Sequence, residues 1–191
     1  MQHDYFLITQ ATATTYSISL TTDPTPLYRV EVDTHPAADP AVQVFDLFDP
    51  LPLAAARLHP AVTTATTCTN GPAGDNPKWR PINQQNHTML PLVAIPGIPP
   101  IERSVRWQNT NKQSKHLELY LREPLFGKWY NESDSPRDQL LARFGIHGMA
   151  FSSDRVIEIR RGGGLEFELG VLVQAFAVSE AERRKKLKKG K

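Results

Sequence analysis

Four basic residues near the middle of the chain form its densest group of cations outside the C-terminus, and they could bind an anion. They are Arg103, Arg106, Lys112 and Lys115. Alternation along a predicted strand puts Arg103 and Arg106 on opposite faces, with the two lysines in the turn that follows. The group is a candidate site for an anionic headgroup. The alternative is a solvated hairpin in which Glu102 and Glu118 neutralise these cations locally.

A second group of cations ends the chain. The last nine residues, RRKKLKKGK, contain seven of the 22 lysines and arginines, beginning with Arg183, Arg184, Lys185 and Lys186. This segment could attach the protein to anionic lipids, because each basic residue near a charged leaflet contributes about 1 kcal/mol. It could instead act as a nuclear-import signal or keep the protein soluble. Nucleic acid would be bound only non-specifically, since no aromatic residue in the segment could stack on bases.

No pattern typical of catalysis or metal binding is present. The sequence lacks a Walker A loop, a dinucleotide-binding fingerprint, a GxSxG elbow and an HExxH helix. None of the six histidines lies at metal-ligand spacing from another. Cys68, the single cysteine, sits among threonines with no basic neighbour to activate it. We therefore predict a non-enzymatic protein with no catalytic residue, no bound metal and no cofactor.

Size and composition indicate one globular domain. A chain of 191 residues with 40% hydrophobic and 22% charged residues can bury one sizeable core. The rest of the chain has 15 basic and 20 acidic residues, so it is net acidic. Neither a secretory signal nor an apolar stretch long enough to span a bilayer is recognisable. We predict a single domain over residues 1–182, a basic tail over residues 183–191, and an intracellular, cytoplasmic protein, with membrane-peripheral or nuclear placement as alternatives.

About ten short segments alternate apolar and polar residues or form apolar runs between turn residues, which is typical of β-strands. They are Tyr5–Thr9, Tyr16–Leu20, Leu27–Val32, Val42–Phe48, Leu51–Leu58, Leu90–Ile95, Ile101–Trp107, Leu117–Arg122, Leu140–Phe144 and Arg155–Arg160. Their spacing and the sixteen prolines favour an antiparallel sandwich or barrel. Thr63–Asn83 is rich in turn residues, so it is predicted as a long surface loop with Trp79 as an anchor.

The C-terminal segment predicts a buried helix. Gly162–Gly164 lacks the lysine and the spacing of a phosphate-binding loop, so it should simply turn the chain. Val171–Val178 is apolar on every side except for Gln174, and a helix without a polar face is buried. The predicted helix covers about residues 166–182. The alternative for its first turns is a strand over Leu165–Leu169, whose acidic and apolar residues alternate.

In three stretches the chain resembles the tubby C-terminal-like superfamily, and within it a group of fungal tubby-like proteins without an assigned function. Ile101–Trp107 (IERSVRW) is similar to their central strand, Phe151–Arg161 (FSSDRVIEIRR) to their last strands, and Leu165–Lys189 to their C-terminal helix with its charged exit. The resemblance implies an antiparallel barrel of about ten to twelve strands enclosing that helix. Scramblases and LURP-one-related proteins share this fold, and the tubby domain binds phosphatidylinositol bisphosphate through a basic surface.

We therefore expect an all-β protein with one buried helix that acts as a non-enzymatic binding module for anionic membrane lipids with phosphoinositide-type headgroups. Its partner would then be an anionic phospholipid surface. The alternative is a protein-interaction or nuclear regulatory module, in which the partner is an unidentified protein and the basic tail is an import signal.

Overall fold

The computed structural model describes residues 3–35, 37–59, 63–69, 71–72, 77–93, 99–109, 117–121, 140–146 and 155–189. Within them the chain forms twelve β-strands followed by one α-helix. The elements are β1 (His3–Gln10), β2 (Thr15–Leu20), β3 (Asp23–Val32), β4 (Val42–Asp46), β5 (Pro52–Leu58), β6 (Thr63–Cys68), β7 (Arg80–Asn83), β8 (His87–Leu92), β9 (Ile101–Asn109), β10 (Leu117–Leu121), β11 (Leu140–Ile146), β12 (Arg155–Arg160) and α1 (Leu165–Lys189). The expected mostly-β fold with one C-terminal helix is confirmed.

The strands form one antiparallel sheet that nearly closes into a barrel. Their order is β7-β6-β5-β4-β3-β2-β1-β12-β11-β10-β9-β8. Strands that are consecutive in the chain pair with each other, except β7 and β8, and β1 also pairs with β12, which joins the first strand to the last. The two edge strands, β7 and β8, lie beside each other where the barrel nearly closes. Curling the sheet in this way shields its edges from pairing with other chains.

The helix α1 lies inside the barrel, as its sequence predicted. Every residue from Val171 to Val178 is at most 4% exposed, so this stretch is covered on all sides. The inward faces of the strands supply the rest of the core, for example Ile18, Val30 and Leu119. Full burial of a side chain of this size contributes about 1.5–3 kcal/mol. Contact between helix and barrel therefore makes a large apolar contribution to the stability of the fold.

The helix is longer than predicted. It begins at Leu165, so the alternative strand over Leu165–Leu169 is wrong, and it ends at Lys189 rather than near residue 182. Much of the basic segment 183–191 is thus helical. The physical reason is local, because Glu180 binds Arg183 and Arg184 at three- and four-residue spacing, and such pairs stabilise a helix. Cations at its C-terminal end also complement the helix dipole.

The turn before the helix depends on its glycines, as predicted. Gly162 and Gly164 have φ angles of 86° and 89°, in the left-handed region that disfavours other residues. Gly163 lies against the ring of Phe167, which leaves no room for a Cβ atom. The triplet thus leads the chain from β12 into α1, which are separated by four residues.

The segment Thr63–Asn83 is not the surface loop predicted from its turn residues. It contains β6 and β7, which pair with each other and continue the sheet from β5. Ala65 and Ile82 are fully buried. These strands were not predicted because β6 is rich in threonine and β7 contains a proline, a residue that an edge strand tolerates. Trp79, the predicted anchor, places its ring 4.0 Å from the guanidinium carbon of Arg57.

The helix is displaced toward one wall of the barrel. It packs most closely against β4, β5, β6 and β8. On this wall Ala54, Ala56 and Ala65 point into the core, and their small side chains allow close approach. On the helix, Gly170 has the same effect, because a Cβ there would lie 2.5 Å from Cδ2 of Leu90. The opposite wall, formed by β2 and β10 to β12, is consequently farther from the helix.

Candidate ligand-binding site

A cleft of about 340 Å³ opens at the end of the barrel from which α1 emerges. It lies between the last turns of α1 and the strands β2, β3, β10, β11 and β12. This is the side from which the helix is displaced. Small-molecule sites have volumes of about 300–1,000 Å³, so the cleft can hold a small ligand. We refer to it as the exit cleft.

The floor of the exit cleft is apolar. Phe176 of α1 lies between Tyr16 and Phe144, with ring centroids 5.1 and 5.8 Å away. Val32, at the end of β3, and Leu117, at the start of β10, are the aliphatic floor residues within the described part of the chain. Apart from the hydroxyl of Tyr16 these side chains present carbon, so the floor favours an apolar occupant.

The rim of the exit cleft is charged, and the described residues that form it are net positive. Arg155, Arg183 and Lys186 contribute cations, while Glu180 and Glu182 contribute carboxylates. Glu180 is only 6% exposed and is held between two arginines, so little of its charge faces a ligand. An anionic group over the apolar floor would therefore lie near the cations that line the cleft, Arg155, Arg183 and Lys186.

Arg184, oriented by Glu180, ties the emerging helix to the segment that follows β3. Glu180 accepts hydrogen bonds from Nε of Arg183 at 2.6 Å and Nε of Arg184 at 2.8 Å. Nη2 of Arg184 also donates to the carbonyl oxygens of Asp33 and His35, at 2.9 and 3.0 Å. Burial alone would raise the pKa of Glu180, but the hydrogen bonds from the two arginines outweigh burial and lower that pKa. Two of the four cations singled out in the C-terminal segment thus have structural roles.

Beyond Glu180 the helix presents its remaining cations to solvent. Lys185, Lys186 and Lys188 are exposed, and Leu187 among them is 57% exposed. We refer to Arg183–Lys188 as the basic helix end. Because the same helix begins in the core, these lysines are held on a continuous element and not on a separate flexible tail.

The first group of predicted cations is spread over both faces of β9. Arg106 is exposed and lies opposite His87 on β8, whereas Arg103 is half-buried and lies opposite the fully buried Leu90. The alternation read from the sequence is therefore confirmed for these two residues. Lys112 and Lys115 lie outside the described residues.

Glu102 and Glu118, the expected local partners of that group, each bind another cation. Glu118 binds Arg143 at 2.7 Å. Glu102 binds Arg80 at 2.7 Å, and Arg80, which is 5% exposed, also reaches Glu166 at 3.0 Å. Burial raises the pKa of Glu102, but the hydrogen bonds from its cationic partners outweigh it, so the pKa is lowered. Arg80 thus ties β7, β9 and the first turn of α1 together beside the gap in the barrel.

A buried hydrogen bond sets the rotation of α1. Nε1 of Trp107 donates to Oε1 of Gln174 at 3.0 Å, and both residues are at most 1% exposed. Nε2 of Gln174 donates in turn to Oγ1 of Thr67 at 3.4 Å. Since a buried polar group needs its partner, the one polar residue of the apolar helix segment fixes which helix face reaches the exit cleft.

The remaining candidates do not form a reactive site within the described part of the chain. Cys68 is fully buried on β6. In the same residues no three histidine, cysteine, aspartate or glutamate side chains come together as metal ligands. Nor does this part contain a helix with the length and apolar character needed to cross a bilayer.

Comparison with known proteins gives no match to a family model, a curated protein or a solved structure. The geometry of the exit cleft and the basic helix end is therefore what indicates a function.

Proposed function

We propose that this protein is a non-enzymatic, intracellular binding module of the tubby-like type that attaches to anionic membrane lipids with phosphoinositide-type headgroups. The observation that carries the proposal is the basic helix end, where Lys185, Lys186 and Lys188 project from a helix anchored in the core. The barrel around a C-terminal helix, which the resemblance implied, supports it.

The expected attachment is weak and electrostatic. Each exposed lysine near an anionic leaflet contributes about 1 kcal/mol. Three of them give about 3 kcal/mol, or about a hundredfold in partitioning. Salt screens charges over about 10 Å at 0.1 M, so the attachment should weaken strongly as salt is added. Leu187, which is 57% exposed between the lysines, can add a small apolar contact with the interface.

Other predicted cations differ in how they can contribute. Arg183 is 44% exposed even though it binds Glu180, so it can face a headgroup as well. Arg106 is exposed on β9 and could provide a second contact. Arg103 and Arg184 are less accessible, because the first is half-buried and the second is 17% exposed. Most of the binding free energy should therefore come from the three lysines.

Co-sedimentation with liposomes of graded anionic lipid and phosphoinositide content, at low and high salt, tests the proposal. The wild-type protein should bind in proportion to anionic content and dissociate at high salt. Lys185→Glu combined with Lys188→Glu should abolish binding, since both side chains are exposed and neither lines the exit cleft. Arg106→Glu by itself tests whether β9 contributes.

The matched control is Arg29→Glu combined with Arg161→Glu, which changes the net charge equally on residues outside the helix that are 40% and 56% exposed. If this control weakens binding as much as the lysine reversal, only overall charge matters and a specific surface is refuted. Absence of binding under every condition also refutes the proposal. Loss of nuclear accumulation in the lysine variant would then favour the nuclear alternative.

A further inference from the structure

We propose that the exit cleft binds one single-chain anionic amphiphile, of the fatty-acid or lysophospholipid class, with its acyl chain on the apolar floor and its anionic group at the basic rim. The exit cleft is a discrete pocket, although Arg183 and Lys186 of the basic helix end also line it. Its shape, lining and charge indicate this ligand class.

The floor of the exit cleft can bind an alkyl chain. Tyr16, Phe144 and Phe176 form a continuous aromatic surface, and Val32 and Leu117 extend it with aliphatic carbon. An aromatic and aliphatic surface within a cleft releases water when an alkyl chain covers it. At about 340 Å³ the cleft lies near the lower limit for ligand sites, so it suits one chain better than the two chains of a diacyl lipid.

The rim of the exit cleft can bind an anionic group. Lys186 follows the floor residue Phe176 on the same helix, and Arg155 begins β12 across the cleft. A carboxylate or phosphate at the mouth can receive charge-assisted hydrogen bonds from both. Glu182, which also lines the rim, disfavours a second anionic group. The arrangement therefore selects an amphiphile with one anionic end and disfavours a neutral alcohol.

Titration with saturated fatty acids of increasing length, kept below their micellar concentrations and followed by displacement of a fluorescent fatty acid, measures the apolar contribution. Affinity should rise about fourfold per methylene, which corresponds to about 0.8 kcal/mol, until the cleft is full. Dodecanoate should bind more tightly than dodecanol of the same length. A neutral alcohol that binds as well as the acid would overturn the role of the basic rim.

Filling the cleft should block it. Ser179 is a small, half-buried residue of α1 that lines the cleft, so Ser179→Trp should reduce dodecanoate affinity at least tenfold. The matched control is Thr22→Trp, an exposed position in the turn after β2 that does not line the cleft. Arg155→Gln combined with Lys186→Gln should weaken binding several-fold, and this pair keeps the test available if Ser179→Trp does not fold.

Two sources of the amphiphile are separated by two arms of the experiment. One arm uses free dodecanoate, and the other uses lysophosphatidate carried in phosphatidylcholine vesicles. If wild type binds in either arm and Ser179→Trp does not, the ligand occupies the exit cleft. Binding of dodecanoate then indicates a free amphiphile, and binding of lysophosphatidate indicates one taken from a membrane. Equal binding by wild type and Ser179→Trp in both arms, or no binding in either, overturns the inference. Lys185→Glu with Lys188→Glu should leave dodecanoate binding intact, which separates this result from membrane attachment.

Discussion

Replacing Gln174 with methionine should destabilise the protein specifically because Trp107 loses its hydrogen-bond partner. Methionine keeps the length of the side chain and remains apolar, so packing in the core is largely preserved. Both residues are at most 1% exposed, so water cannot replace the lost acceptor. A buried donor left without a partner costs about 1–3 kcal/mol. We expect the free energy of unfolding to fall by that amount.

A double-mutant cycle with Trp107→Phe separates this hydrogen bond from packing. Trp107→Phe removes the indole N–H and some apolar surface, and it leaves Oε1 of Gln174 without its donor. In the Trp107→Phe background, Gln174→Met leaves no indole N–H without an acceptor, so it should lower the free energy of unfolding only slightly. The coupling free energy between the two substitutions should therefore reach about 1–3 kcal/mol, within the range that contacting residues show.

The assay is equilibrium unfolding in urea, followed by far-UV circular dichroism, for the wild type, both single variants and the double variant. The slope with denaturant should stay constant, which shows that the surface exposed on unfolding is unchanged. If the two substitutions are additive within about 0.5 kcal/mol, the hydrogen bond between Trp107 and Gln174 does not hold the helix in place. The rotational register of α1 would then need another explanation.

The remaining predictions concern the helix and its entry turn. Val173→Asp should prevent folding, because an unpaired charge would lie inside the barrel at a position that is fully buried; a normal cooperative melting curve would contradict this. Gly163→Ala should lower the melting temperature, since its Cβ would collide with the ring of Phe167. Glu168→Gln should raise the melting temperature at neutral pH. Burial raises the pKa of Glu168 more than the hydrogen bond from Tyr28 lowers it, so ionisation opposes folding, and the gain should shrink as pH falls through that pKa. Glutamine still offers an oxygen to Tyr28, so a gain that is constant with pH would contradict this cause.

The parts of the fold that sequence reasoning found share one property, which is that their side chains follow the period of their element. Arg155–Arg160 alternates, and its inward residues Ile157 and Ile159 are at most 2% exposed. Val171–Val178 is apolar all round because every side of it meets a strand. In both cases the repeat of the helix or strand decides which side chains are buried, so the burial pattern can be predicted from neighbouring residues.

The parts that it missed depend on partners far away in the chain. Arg80 lies in a short strand that reads as loop, because its charge is compensated by Glu102 and Glu166, which come from β9 and α1. Thr67 on β6 reads as polar and exposed, yet it is fully buried and accepts a hydrogen bond from Gln174. No sequence window contains both members of such pairs, so polarity misled the prediction there.

The sequence was enough to predict that this protein is mostly β, that one apolar helix near its C-terminus is buried, and that cations follow that helix. Those features need only the periodicity and composition of neighbouring residues. Tertiary structure alone decided that small residues on β5 and β6 draw the helix toward one wall, and that a cleft opens on the other. It also decided that Arg155 and Lys186 line the same cleft, since closing the barrel brings β12 and the helix end together. A site assembled from five strands and a helix depends on packing volumes and distances that a linear sequence does not display.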